Sequence, residues 1–326
     1  MKEDDIRRRD LFSKYLELSA IDAVNFFSDK SEYLSINCPA CNYENTTHQF
    51  EKNGFSFSQC INCLTLFCNP RPPLSQFIPF YQDSPSTSFW VNEFFSQVVE
   101  QRREKMFKPR AQFVNDLIEG KSDLIIGDIG AGFGIFLEEF RKINSNNKLI
   151  AIEPSLEMAR ICAENGFDVI EDLIENIDEN QYQFDVLISF ELFEHLFNPL
   201  EFVKKIHKLL KPGGMLILTT LNGLGFDIQI LWEKSKSVSP PHHLNFFNPN
   251  SLDILFSNCG FSDIEVSTPG VLDWSILEGG IINKEFEADR LWKSIVSIGS
   301  DAAKADLQTW ISENGFSSHM RLIARK

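Results

Sequence analysis

Beyond Gly120 the chain switches repeatedly between short continuous apolar runs and stretches of helical periodicity, and few architectures accept that alternation. Leu124-Ile-Ile-Gly-Asp, Lys148-Leu-Ile-Ala-Ile-Glu, Phe184-Asp-Val-Leu-Ile-Ser-Phe and Met215-Leu-Ile-Leu-Thr-Thr read as strands. Helical segments run from Ile135 to Ile143, from Ser155 to Asn165 with a stop at Gly166, and from Phe202 to Leu210. Strands that are apolar on both faces and separated by helices belong to a parallel sheet covered on both sides, and such sheets bind ligands beyond the carboxyl ends of their strands. Further on, Ser251 to Asn258 predicts a helix ended by Gly260, while Phe261 to Val266 and His319 to Arg325 predict two more strands. A helical insertion, 271–316, separates these two.

The N-terminal third is of another kind. Leu11, Tyr15, Leu16, Leu18, Ile21, Val24 and Phe27 recur at helical spacing among charges, which predicts one or two amphipathic helices. From Cys38 to Cys63 that periodicity vanishes and turn formers such as Asn42, Asn45, Asn53 and Gly54 take over, so little hydrophobic core is expected there. Cys38-Pro-Ala-Cys41 and Cys60-Ile-Asn-Cys63, 18 residues apart, offer another means of holding the segment, since paired knuckles at this spacing are those of four-cysteine zinc sites. Four thiolates close the tetrahedron, so the expected zinc is structural and its binding energy is folding energy. Free surface thiols are the plainer alternative; His48 and Cys68 lie off the pattern. Asn69-Pro-Arg-Pro-Pro reads as a stiff boundary, after which helical pattern runs from Phe89 to Ile118.

Charge narrows the partners. With 31 basic and 46 acidic residues the chain carries a formal charge of −15, and between the cysteine pairs Lys52 stands against Glu44 and Glu51, so nucleic acid is not expected. The start Met1-Lys-Glu-Asp-Asp leads into no apolar signal core, and no run nears the roughly 20 apolar residues of a membrane span. A cytoplasmic protein with reduced thiols is the expectation.

Asp128-Ile-Gly130-Ala-Gly132-Phe-Gly134-Ile-Phe joins the first strand of the sheet to its first helix, where glycines permit a tight turn and close approach of a ligand. Glycines in such a turn can also serve geometry alone. A dinucleotide fingerprint would place its third glycine at the position held by Ile135, and no Lys-Ser/Thr pair follows, so the loop suits a ligand without a pyrophosphate. The pattern DxGxGxG, with Glu153 closing the second strand, resembles the class I methyltransferases that use S-adenosylmethionine (SAM). Phe184-Asp-Val, Glu194-His195-Leu and Leu210-Lys-Pro-Gly-Gly extend the likeness from about Gly120 to Val266, and it returns at the last strand.

That resemblance implies an α/β fold, a Rossmann-like, mostly parallel seven-stranded sheet with helices on both faces, appended to the small zinc ribbon. It also implies a SAM site. Gly130, Ala131 and Gly132 would pack on the methionine part, Asp128 would help hold the amino group, and Glu153, beside Pro154, would accept from both ribose hydroxyls. Asp172 and Leu173 would contact adenine, and Phe190 joins the same set. The domains then run 1–36 (helical), 37–73 (ribbon), 74–119 (helical lead-in), 120–270 (SAM-binding), 271–316 (insertion) and 317–326 (final strand).

Cys63-Leu-Thr-Leu-Phe-Cys-Asn-Pro-Arg-Pro, His243 in His242-His-Leu-Asn-Phe-Phe, and Ser317-Ser-His-Met-Arg are similar to bacterial sugar methyltransferases, among them deoxysugar C-methyltransferases. The likeness implies a sugar acceptor, nucleotide-linked or bound for a surface polysaccharide, and a histidine base, His243 or His195. Where that group has a glutamate this chain has His242, and where it has an upstream tyrosine this chain has Pro240, so O-methylation stays open. Glu191-Leu-Phe-Glu194-His195 also resembles the magnesium site of certain O-methyltransferases of quinol precursors or RNA termini, in which an ion lowers the pKa of a hydroxyl. A third reading is a non-catalytic SAM-binding scaffold whose zinc module docks a protein. The insertion, with Trp274, Trp292 and Trp310, suits a pocket cover, a homodimer contact or plain packing on the core.

Overall fold

The computed structural model describes residues 3–326, and Met1 and Lys2 of the expected N-terminal helix lie outside them. In chain order the strands are β1 (Thr46–Lys52), β2 (Phe55–Cys60), β3 (Leu66–Cys68), β4 (Ile125–Ile129), β5 (Lys148–Ile152), β6 (Asp168–Ile170), β7 (Phe184–Phe190), β8 (Leu210–Leu221), β9 (Asn245–Phe246), β10 (Ser262–Ser267) and β11 (His319–Arg325). The chain forms two compact units. The first gathers Met1–Val98, Leu221–Ser251 and Ser267–Met320; the second gathers Val99–Thr220, Leu252–Val266 and Arg321–Lys326. The helical lead-in of the sequence analysis thus divides at Val98, and both 221–251 and the helical insertion group with the N-terminal segments.

The second unit carries the expected sheet, seven strands in the order β10-β11-β8-β7-β4-β5-β6. The neighbours from β8 to β6 run parallel. Ile126, Ala151, Val186, Ile188 and Ile217 on one face of these strands pack with Phe136, Leu137 and Phe140 of the helix Ile135–Ile143, and Ile150, Ile152, Leu187, Leu216 and Leu218 on the other face are buried too, which is why the runs read as continuously apolar. The helix Pro199–Leu209 starts where its sequence says it should: the Asn198 side chain accepts from the Glu201 amide and Pro199 occupies the first turn. Gly127, inside β4, is there for packing, since a Cβ would sit 2.8 Å from Leu187 and Phe184. Chain order reverses between β4 and β7, so the carboxyl ends of these strands frame a crevice.

In the first unit β1, β2, β3 and β9 form an antiparallel sheet. Asn53 and Gly54, both at positive φ (48° and 79°), make the two-residue turn between β1 and β2. This corrects the expectation of a segment without a core. Phe55, Phe57, Leu66 and Phe67 are fully enclosed, and the Phe57 ring packs on Phe50 and Phe246 at 5.3 and 6.0 Å. Alternation over so few residues, broken by the turn, is too short a pattern to stand out in the sequence. The long N-terminal helix, Arg9–Phe27, buries Phe12 and Tyr15 against Phe94 and Val98. The insertion's helices pack on their own unit through Trp274, Leu277 and Leu231. Among the described residues no helix is long and apolar enough to cross a membrane.

If the ribbon has a core of its own, Phe57→Ala should lower the unfolding free energy by about 3–5 kcal/mol with metal bound. Urea titration of the metal-loaded protein reads this, and an unchanged midpoint would mean that the cysteines alone hold the module.

Candidate active site

The glycine loop leaves β4 at its carboxyl end. Gly130, Gly132 and Gly134 all have positive φ (72°, 56° and 73°), a conformation that side-chain-bearing residues rarely adopt. At Gly132 an added Cβ would meet nothing within 4 Å, so bare backbone faces open space, whereas at Gly130 it would come within 3.2 Å of Leu192. The loop is fastened to the neighbouring strand twice. Gly130 donates its amide to the Ile152 carbonyl at 2.8 Å, and Gly132 donates to Glu153 Oε2 at 2.8 Å. Glu153 Oε1 accepts from the Ser155 amide at 2.9 Å, so the carboxylate bridges the loop after β4 and the turn after β5. Beneath the loop the Cys162 thiol donates to the Gly132 carbonyl at 3.3 Å.

Two buried acids stand at this edge. Burial, and then the charge of Glu153, push Asp128 up to about 8, with Arg110 opposing. Burial also raises Glu153, against the two amide hydrogen bonds. Each Glu153 oxygen uses one lone pair on an amide and keeps another for a further donor. Asp172 turns one oxygen inward, accepting from the Leu173 amide and the Asn176 side chain, both at 2.7 Å. Leu173 itself is 53% exposed, and Pro154 is exposed beside Glu153. Phe190, at the end of β7, lies half-buried between Phe136 and the Arg110 guanidinium, 4.8 Å from its ring centre.

Just past β7 the backbone of Glu191 takes φ 54°, a strained value for a residue with a side chain. Its Oε1 receives Arg110 Nη2 at 2.5 Å and the Thr219 hydroxyl at 2.9 Å. Glu194 is buried, and its Oε2 receives the Thr220 hydroxyl at 2.8 Å. Burial first, and then the Glu191 charge, push Glu194 up to about 8, so it holds a proton at neutral pH. His195 follows in the short turn Phe193–His195. Arg110 and the two threonines escaped the sequence analysis. Arg110 is one cation on a mixed helix, and nothing in the sequence distinguishes it from Arg102 or Lys108.

His242 and His243 belong to the first unit, where neighbouring residues meet different surroundings. His242 is packed between Tyr15 and Phe80, and its Nε2 lies 2.8 Å from the Ser86 hydroxyl. His243 Nδ1 lies 2.6 Å from the Ser237 carbonyl, which can only accept, so Nδ1 carries a proton and donates it. In the same unit the four predicted cysteines converge. Their sulfurs lie within 4.8 Å of one another, with Cys38–Cys63 at 3.5 Å and Cys41–Cys60 at 3.6 Å. A tetrahedron of Zn–S bonds of about 2.3 Å has edges near 3.8 Å, so the four thiols fit such an ion. The hydrogen bond between the Cys38 and Cys63 sulfurs lowers Cys63 and, with burial, raises Cys38, so without an ion the two share one proton.

Comparison with known proteins settles the family. Residues 98–266 match the family described as methyltransferase domain, and the match takes in more than half of the chain. The chain belongs to that family. It is a SAM-dependent methyltransferase, an enzyme, in line with the loop and carboxylates just described. Among its curated relatives, the mitochondrial ubiquinone biosynthesis O-methyltransferase of Dictyostelium discoideum is 28% identical over 172 residues, 45% of this chain and 54% of that protein. The ubiquinone biosynthesis O-methyltransferase of Ruegeria pomeroyi is 28% identical over 196 residues, 51% of this chain and 77% of its own. The methyltransferase thus spans about half the length of the first of these relatives. Solved structures with a related fold include the plantazolicin methyltransferase BpumL with SAH (16% identity, TM-score 0.49, covering 76% of this chain and 93% of that one). A SAM-dependent methyltransferase from Archaeoglobus fulgidus is also similar (17%, 0.46, 71% and 100%).

The open space at Gly132 makes a direct test available. Gly132→Val would fill it and force an unfavourable φ, and should abolish the heat of S-adenosylhomocysteine binding in calorimetry while the circular dichroism spectrum is kept. Wild-type heat from this variant would mean that the cofactor does not approach the loop.

Proposed function

We propose that this methyltransferase transfers the methyl of SAM to a hydroxyl of a small molecule, a phenolic ring hydroxyl ahead of a sugar. The observation that carries the cofactor reading is the bare backbone of Gly132 flanked by Asp128 and Glu153. Bound SAM supplies a methyl on a sulfonium, ready for displacement. Asp128 would hold its ammonium, the remaining lone pairs of Glu153 would take the ribose hydroxyls, and exposed Leu173 would lie on the adenine. Arg110 would compensate the carboxylate of the methionine part.

The choice of acceptor rests on acidity. His243, with Nδ1 directed at the Ser237 carbonyl, would act as the general base through Nε2. A phenol, ionising at about 10, is a far stronger acid than an ordinary aliphatic hydroxyl, so its proton is much the easier one for an imidazole to take. The relatives named above are O-methyltransferases, which favours a hydroxyl; none is named for a sugar, so the sugar acceptor expected from the sequence gains no support from them. A panel with labelled SAM tests this. Transfer to 3,4-dihydroxybenzoate oxygen is expected, falling roughly 100- to 10,000-fold in His243→Ala with S-adenosylhomocysteine affinity kept. Labelling only on a deoxysugar nucleotide would overturn the choice of acceptor.

Glu191 and Glu194 favour a second reading. Two acids side by side, Glu194 raised by burial and then by the Glu191 charge, suit a divalent ion, and magnesium there would assist O-methylation. Turnover that stops on chelation, with the cysteine-bound metal still in place, selects it. We propose zinc as that cysteine-bound metal, one ion per chain, held by Cys38, Cys41, Cys60 and Cys63.

Asp128 makes cofactor binding pH-dependent. Below about 8 its carboxyl is protonated in the free protein, and an ammonium ligand prefers it ionised, so binding releases a proton. Affinity for S-adenosylhomocysteine should therefore rise with pH up to about 8 and level beyond it. Calorimetry at pH 6 and 7 in buffers of differing ionisation enthalpy reads the released proton, and Asp128→Asn should abolish the dependence.

A further inference from the structure

The loop that carries His243, residues 235–248, has little structure of its own. It is buried almost throughout, yet among the described residues its regular structure is the two-residue strand β9. Inside the loop the His243 amide donates to the Ser239 carbonyl at 3.0 Å, and the ring is held by Ser237. The four-cysteine module of the same unit grips the loop at three places. At the tip of its β1–β2 hairpin, Lys52 Nζ donates to the Ser235 carbonyl at 2.8 Å and Asn53 Nδ2 to the Pro240 carbonyl at 3.1 Å. Along its edge, β3 pairs with β9, Leu66 opposite Phe246 and Phe67 opposite Asn245, and the Cys68 amide donates to the Leu244 carbonyl at 2.9 Å. At the metal end, Asn248 Nδ2 donates at 2.8 Å to the carbonyl of Cys63, one of the four thiol residues.

These contacts point away from a docking module for other macromolecules. The edge of β3 that could have paired with a partner strand is taken by β9. The turn amide and the lysine that could have met a ligand are spent on the loop's carbonyls. What the module holds is a segment of its own chain.

We propose that the four-cysteine module is a clamp that fixes the tautomer and position of His243, with Lys52, Asn53 and Asn248 as its positioning residues, so that metal occupancy controls the base and not the cofactor site. The proposal rests on the reading of His243 as the base. Metal at the cysteines fixes the Cys63 carbonyl, Asn248 carries that constraint to the end of the loop, and the hairpin tip holds its beginning. Asn248 serves the loop's exit as well, because its Oδ1 accepts from the Ser251 amide at 3.0 Å.

The experiment uses the full chain with its metal content measured. Amide hydrogen exchange and ¹⁵N spectra of the histidine rings are recorded for the wild type, for the metal-stripped protein and for two variants. Lys52→Met with Asn53→Gly leaves the cysteines untouched and keeps the positive φ of the turn. Asn248→Asp keeps the acceptor for Ser251 and removes the donor to Cys63. Exchange at the His243 amide should speed up by roughly tenfold or more in all three, and the Nδ1-protonated signature of His243 should give way to a tautomer average. Heat of S-adenosylhomocysteine binding should stay at the wild-type value. Unchanged exchange and an unchanged tautomer in the hairpin double variant would overturn the clamp, whatever the stripped protein does on losing its metal. Absence of binding heat in the wild type itself would instead sink the cofactor reading and leave the exchange result standing.

Discussion

The Glu153 carboxylate is the fastening on which the cofactor edge depends. It ends β5, yet one of its oxygens accepts from the backbone of the loop that follows β4 and the other from the turn before the next helix. A carboxylate in that place makes two strand ends and a helix start behave as one piece, and it can do so because Gly132 leaves its amide uncovered. The same choice explains the electrostatics around it. Burial first, and then the charge of a neighbouring acid, raises both Asp128 and Glu194, and Arg110 opposes both shifts. An edge lined by acids favours a cationic nucleoside over a phosphate.

How much of this was legible in the sequence follows from the range of each interaction. The parallel sheet could be read because burial on both faces leaves continuous apolar runs such as Leu149-Ile-Ala-Ile and Val186-Leu-Ile. The glycine loop could be read because positive φ leaves a residue-level mark, and the cysteine cluster because metal geometry demands a spacing. The aromatic core of the ribbon could not, since Phe55 and Phe57 alternate over too few positions. Pairing of β3 with β9 joins residues about 180 positions apart through backbone atoms, and backbone pairing of so brief a strand has no composition. Arg110 and the strain at Glu191 are likewise features of place and not of type.

The adjacent histidines show the same limit at close range. Both belong to a segment whose sequence points to function, but one ring is packed among Tyr15, Phe80 and Ser86, while the next bonds the Ser237 carbonyl through Nδ1. Their difference is created by Ser237, six residues upstream, and by the hairpin tip that fixes Ser235 and Pro240. The hydrogen bonding of each ring is therefore a property of the loop's shape, not of the residue type.

That shape has to be held from outside. Ordering a residue costs roughly 1–2 kcal/mol of backbone entropy, which helices and sheets offset with their own repeating hydrogen bonds. Residues 235–248 lack such a repeat beyond β9, so much of the compensation must come from neighbours. The ribbon's hydrogen bonds with Ser235, Pro240, Leu244 and Asn248 supply part of it, and four of the ribbon's sulfurs lie at metal-ligand spacing. On the proposed reading, the base would sit on the unit that carries the four cysteines and the glycine loop on a sheet that supports itself, so the cofactor edge would be built from local strand-to-helix geometry while the proton acceptor would be only as well defined as the module that grips it.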